Sequence, residues 1–282
     1  MEFIRKWWSN GLSPWVKFVY LVLLANGLPA FVILMSAPAM TDILFVWTVK
    51  PPINAHLMGV MYFNALLLVA FGAVQTSWAR ARITMVVITL FSILATLLTF
   101  VYLKPFLAHP WYHLTFWLTM YLILFFTAPV VFYTQEKKYG GRLPVQLGLD
   151  APARLLAGAA LLISLVCALG FLFRVDLVNQ LWPWKLTPLV AGLIGVLFTT
   201  HAAAYAWTLW DGDWLRVRPM FWQAPLTLGL LMLLPLLHQS DLRPDAGASL
   251  RFFYLFAGTL VLAFALIILR YRSREQKFAS PK

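Results

Sequence analysis

The chain has 282 residues, of which 62% are hydrophobic and only 11% charged, against roughly a quarter charged in soluble domains. That balance excludes a soluble globular protein and describes an all-α integral membrane protein. The formal charge of +12 does not describe a nucleic-acid binder, because the basic residues fall between apolar runs and not in a patch interleaved with aromatics.

A helix needs about twenty apolar residues to cross a bilayer, and eight runs meet that length: 15–38, 53–75, 83–103, 112–134, 152–173, 187–209, 219–238 and 251–271. Before the first stand Arg5 and Lys6, and after it SAPAM at 36–40, an imitation of a secretory signal with its cleavage site. The run is longer than a signal's apolar region and is read as a span. Asn26, Gly27 and Pro29 inside it predict a kink with freed carbonyls. FVWTVKPP at 45–52 leads into span 2, which carries His56, Asn64 and the small pair Ala55 and Gly59. WARAR at 78–82 precedes span 3, where Thr89, Ser92, Thr96 and Thr99 recur at helical spacing. His109 and His113, with Pro110 between them, open span 4, and the basic linker QEKKYGGRLPVQLGLD follows at 135–150.

Span 5 has Ala153, Ala157, Ala160 and Ser164 on one face, a small-residue stripe that lets helices approach. It also holds Cys167, the single cysteine, so no disulfide forms within the chain and no cysteine-based metal site is available. LWPWKLTP at 181–188 leads into span 6, with Thr199, Thr200 and His201. WLRVR at 214–218 precedes span 7, which contains Pro225 and Pro235 and ends at His238; span 8 runs into a basic tail, 275–282.

The order repeats itself. A shift of 137 puts Trp47 on Trp184 and Pro51 on Pro188; a shift of 136 puts Gly59 on Gly195 and WARAR on WLRVR; a shift of 138 puts Pro14 on Pro152 and Tyr133 on Tyr271. The chain therefore reads as a four-helix unit at 1–134, a cytoplasmic linker at 135–150 and a second unit at 151–274. Four spans return to the side they started from, so the copies run parallel, related by a pseudo-twofold axis along the membrane normal. Of the 22 basic residues, Lys50, Lys104, Arg174, Lys185, Arg243 and Arg251 fall on one side and the rest on the side of the termini. The positive-inside bias then predicts cytoplasmic N- and C-termini. The Trp residues of the repeated loops are expected at the headgroup level, with Lys50 and Lys185 snorkelling and the W-x-R-x-R arginines on the positive side.

W-P-W-x-L-T-P opening one helix, W-T-x-x-P-P opening its partner, and the basic W-x-R-x-R loops together resemble a group of uncharacterised bacterial multi-pass membrane proteins built from two related halves. The resemblance implies a bacterial plasma (inner) membrane. That group has no established activity, so it assigns no functional residue here.

Every carboxylate falls in a predicted loop or terminus, which leaves paired-carboxylate acid–base catalysis and buried-acid ion coupling without their parts. The reading leans away from an enzyme, and no pattern names a cofactor. Four histidines, His56, His109, His113 and His238, gather by topology at one face, where imidazoles could ligate haem iron or a metal or donate to a quinone. His201 lies deep in span 6, beside Thr199 and Thr200, and the repeat register sets it opposite Asn64 or Ala65. Either these side chains satisfy one another across helices or they face a ligand. The candidate ligand-binding residues are His201, Asn64, Asn26 and Thr200. Three functions fit: binding or permeation of a small lipophilic or uncharged ligand between the halves, an accessory or scaffolding subunit of a membrane complex, or a haem- or quinone-linked redox protein.

Overall fold

The computed structural model describes residues 11–279; Arg5, Lys6 and Lys282, placed above on the side of the termini, lie outside them. Among the described residues eight helices are long and apolar enough to cross a membrane: α1 (Pro14–Ser36), α2 (Pro52–Ala73), α3 (Trp78–Val101), α4 (Trp111–Tyr139), α5 (Ala151–Phe173), α6 (Pro188–Asp211), α7 (Trp214–Leu237) and α8 (Gly247–Ala279). Their starts follow from local chemistry. Proline occupies the first or second position of α1, α2, α5 and α6, where a missing N–H is harmless. Ser13, Asp150, Thr187 and Asp213 cap α1, α5, α6 and α7 through their side-chain oxygens. Gly212, at φ 66°, closes α6 in the left-handed conformation and lets α7 begin two residues later.

The protein is a tandem parallel repeat of two four-helix units, and its packing repeats with the sequence. α1 packs on α2 as α5 packs on α6, and α3 on α4 as α7 on α8; across the halves, α3 meets α6 as α2 meets α7. This puts α2, α3, α6 and α7 in the middle. The apolar windows of α2, α3 and α6 are 61% to 72% buried, against 22% to 28% for α4, α5 and α8, which face outward.

The tightest crossings are equivalent too. A Cβ on Gly59 would lie 2.5 Å from Met35 Sδ, and one on Gly195 would lie 2.6 Å from Leu172 Cγ, with Met35 and Leu172 again 137 apart. Gly72 makes room for a different contact: Tyr20 of α1 reaches over it to Thr84 of α3, hydroxyl to hydroxyl at 2.7 Å.

Three sequence expectations are corrected. α3 and α7 begin at Trp78 and Trp214, about a turn before the apolar runs, so both W-x-R-x-R motifs are helical. α4 continues to Tyr139, so the linker's first residues are helix. The tryptophans expected at the headgroup level are interior instead: Trp47, Trp78, Trp184 and Trp214 are all 5% exposed or less. Trp47 packs on Phe45, Phe106 and Trp117, and Trp184 on Trp182 and Phe253, so aromatic burial outweighs the interfacial preference. Lys50 and Lys185 are exposed, as expected of snorkelling side chains.

At Gly59 the obstructing atoms belong to a flexible methionine, whereas at Gly195 the Leu172 backbone nitrogen also lies 3.1 Å away. Gly195→Ala is therefore expected to destabilise by about 1–3 kcal/mol and Gly59→Ala by less, measured as thermal unfolding in one detergent; equal losses would mean that the two crossings are not limited by backbone approach.

Candidate functional site

Each half has a cavity among its helices. The first, about 50 Å³, lies among α1 to α4 against α6 and is bordered by Asn26, Met61, Tyr62, Asn64, Phe91 and Leu197 among others. The second, about 120 Å³, lies among α5 to α8 and is bordered by Asn64, Leu197, His201, Gln223 and Thr227 among others. Both exceed the roughly 10–15 Å³ that one water needs. The linings correspond through the repeat at a shift of 136 or 137: Met61 with Leu197, Asn64 with His201, Val87 with Gln223, Phe91 with Thr227, Leu124 with Leu260. The two cavities are thus one site built twice, with Val87 and Phe91 on α3 in the first copy where Gln223 and Thr227 stand on α7 in the second. Asn64 and Leu197 border both. An open pocket of about 320 Å³ between α1 and α4 shares Asn26 and Trp117 with the first cavity and is bordered by Pro29.

Of the four predicted site residues, three border these spaces. Asn26 stands between the pocket and the first cavity, Asn64 between the two cavities, and His201 in the second. Thr200 is buried but borders neither; its hydroxyl donates back to the Leu197 carbonyl at 2.7 Å. His201 and Asn64 do not touch directly. Gln223 joins them: its Oε1 lies 3.4 Å from His201 Nε2 and within hydrogen-bond distance of Asn64 Nδ2, which also donates to Thr227 Oγ1 at 2.9 Å. Gln223 and Thr227 were missed in the sequence because their repeat equivalents are Val87 and Phe91.

At the end away from the termini the histidines form two pairs. His56 Nδ1 is 2.6 Å from His238 Nε2, His56 Nε2 is 3.2 Å from the Met35 carbonyl, and His238 Nδ1 is 3.2 Å from Asp241 Oδ2. Asp241 also accepts the Ile53 N–H at 3.0 Å, so the line ties α2 to the end of α7. His109, in the loop before α4, meets Thr48 Oγ1 at 3.0 Å. Its pKa is lowered by burial and by neighbouring His113, against an upward pull from Asp42. No three His, Cys, Asp or Glu side chains converge as a metal cage among the described residues. The two repeated loops are joined here as well: Asn54 donates to the carbonyls of Lys50 and Lys185, each at 3.0 Å, and accepts the Trp184 indole N–H.

The other end is held by charge. Arg82 and Arg216, read from the sequence as lying on the positive side, are 1% and 6% exposed. Both bind Asp211: Arg82 through Nε and Nη2, Arg216 through Nε at 2.7 Å. Arg82 also donates to Glu136 at 3.3 Å and to the Gly141 carbonyl at 3.0 Å, and Arg216 to Asp213 and the Pro144 carbonyl. The Trp207 and Trp210 rings lie 5.4 Å from the Arg82 guanidinium. The repeat survives in the details. Trp78 and Arg82 share Glu136, and Trp214 and Arg218 share Glu275. These acids pair Arg82, Arg216 and Arg218 within the excess of basic residues that the sequence shows.

No protein family, curated protein or solved structure matches the chain. The functional reading therefore rests on this geometry.

Asp211→Asn would leave two enclosed guanidinium groups without their shared carboxylate, and a loss of about 3–5 kcal/mol is expected. Arg218, a third exposed, should cost under about 1 kcal/mol on replacement by Ala. Melting curves of the two purified variants, or failure of Asp211→Asn to accumulate as a monodisperse species, check the contrast; parity between them would count against the buried network.

Proposed function

We propose that the protein binds, or passes across the membrane, a small uncharged and mainly apolar molecule held in the paired cavities. One observation carries this: two equivalent, predominantly apolar cavities adjoin at Asn64 and Leu197, and the first shares a wall with a pocket that opens between α1 and α4. Apolar cavities with a few placed polar groups are the usual form of a small-molecule site. The carboxylates named above lie at the ends of the bundle and none borders either cavity, which favours a neutral occupant.

The pocket between α1 and α4 supplies a route for a lipophilic molecule. Pro29 cannot donate to the Ala25 carbonyl four residues back, so one helical hydrogen bond is missing beside Asn26 in an otherwise continuous α1. A molecule dissolved in the bilayer reaches the first cavity there, past Trp117, and the second past Asn64. The site thus lies within each half and across their contact, in place of a single cleft between halves. The same proposal includes a bacterial plasma membrane, with the basic end and both termini in the cytoplasm.

His201→Leu keeps the span apolar and removes the imidazole from the second cavity, while Leu197→Trp fills the wall common to both. Native mass spectrometry of protein purified in mild detergent is expected to show a retained small molecule in the wild type, reduced in both variants with folding intact. Retention unchanged in both folded variants would refute the reading. For orientation, cysteines placed singly at Lys138 and Arg274 in a Cys167→Ala background should resist an impermeant maleimide in intact cells and react after lysis; labelling from outside would reverse the assignment.

A further inference from the structure

An open groove of about 640 Å³ runs between α5 and α8, at the end where α5 begins and α8 leaves its apolar run. The two helices are antiparallel, and their lining residues recur every three or four positions, so Leu155 and Leu156 stand opposite Leu266 and Ile267, and Ala159 opposite Ala263. Leu156 and Ile267 are the more buried and form the floor; Leu155 and Leu266, 76% and 58% exposed, form the rims. From Pro152 to Ala159 the groove is roughly 10 Å long, about two-thirds of the hydrocarbon depth of one leaflet. Both helices face outward, so it opens onto lipid.

Its mouth is charged. Arg270 borders the groove, and Asp150 Oδ2 lies 2.7 Å from Arg270 Nε and 3.1 Å from Arg274 Nη1. Two guanidinium groups, with side chains 50% and 38% exposed, thus share one carboxylate. Glu275, the carboxylate that α8 itself carries, is engaged by Arg218 and Trp214 of α7. One positive charge is left uncompensated beside the groove. The arrangement belongs to the second copy: at the shift that aligns Pro14 with Pro152 and Tyr133 with Tyr271, Asp150 and Arg270 stand where the first half has Leu12 and Phe132.

We infer that this groove holds an anionic phospholipid, with one acyl chain along Leu156 and Ile267 and the phosphate on Arg270 and Arg274. Basic pockets between spanning helices suit such headgroups. A zwitterionic lipid can lay the same chain in the groove, but its headgroup carries its own cation and gains less from the arginines. The site is on the outside of the bundle and is independent of what occupies the two cavities.

Dioleoyl phosphatidylglycerol and dioleoyl phosphatidylcholine share their chains and differ in headgroup charge. Each is titrated into delipidated full-length protein in a neutral detergent, and bound lipid is counted by native mass spectrometry. The wild type is expected to bind the anionic lipid about three- to tenfold more tightly. Arg270→Gln leaves Arg274 matched by Asp150 and should bring the two lipids level. Arg272→Gln, two residues on and so on another face of α8, should keep the preference. Ala159→Trp fills the far end of the groove from an exposed position and should weaken both lipids with the arginines in place. Equal binding of the two lipids by the wild type, a preference that survives Arg270→Gln, or undiminished anionic-lipid binding by Ala159→Trp overturns the inference. A wild-type dimer that Ala159→Trp separates also overturns it, since a second copy then fills the groove. The headgroup preference is read in the wild type, so the test holds even if a variant fails to fold.

Discussion

The carboxylate of Asp211 is the point on which the two halves close. It is buried between a guanidinium from each half, Arg82 and Arg216, and charges so placed are tolerated only as a completed set. Completing the set fixes a good deal of backbone. Arg82 holds Gly141, Arg216 holds Pro144, Asp213 receives the Gln146 N–H, and Leu149 and Trp214 exchange backbone bonds with Gly212 and Leu147. The linker is thereby laced under the bundle. The start of α5 is then set by Asp150, which caps it and binds Arg270 and Arg274 of α8.

The opposite end closes differently, with amide and imidazole groups in place of a buried ion network: Asn54 between the two repeated loops, and His56, His238 and Asp241 between α2 and α7. Between the two ends the interior holds the short polar cluster of Asn64, Gln223, Thr227 and His201, and space. A bundle pinned at both ends can afford cavities in its middle, because the helices cannot simply collapse onto them. The duplication then supplies two equivalent spaces free to diverge. Val87 and Phe91 line the first where Gln223 and Thr227 line the second.

Much of this architecture is legible in the sequence, and the exceptions have physical causes. Helix count and the repeat follow from apolar length and matched landmarks, and the equivalence reaches contacts as small as Gly59 on Met35 and Gly195 on Leu172. The starts of α3 and α7 are misjudged because hydropathy counts an arginine as a residue in water. It cannot know that a carboxylate 129 positions away will meet Arg82. Trp47, Trp78, Trp184 and Trp214 are misplaced for a related reason, since an indole satisfied by Glu136, Asn54 or Glu275, or stacked among aromatics, has no need of the headgroups. Asn64 and His201 stand out as polar residues at equivalent depth. Thr200 stands out equally but spends its hydroxyl on its own helix, a distinction that residue type cannot make.

The distance in sequence between Arg82 and Asp211 has a bearing on how the chain enters its membrane. At a synthesis rate of about 5–20 residues per second, the 129 positions between them take roughly 6 to 26 s to translate. For that interval α3 is made and Asp211 does not exist. Glu136, only 54 residues behind Arg82, is the carboxylate that arrives first. It comes with α4, so the first half can leave the translocon with its guanidinium partly neutralised and wait for α6 to complete the site.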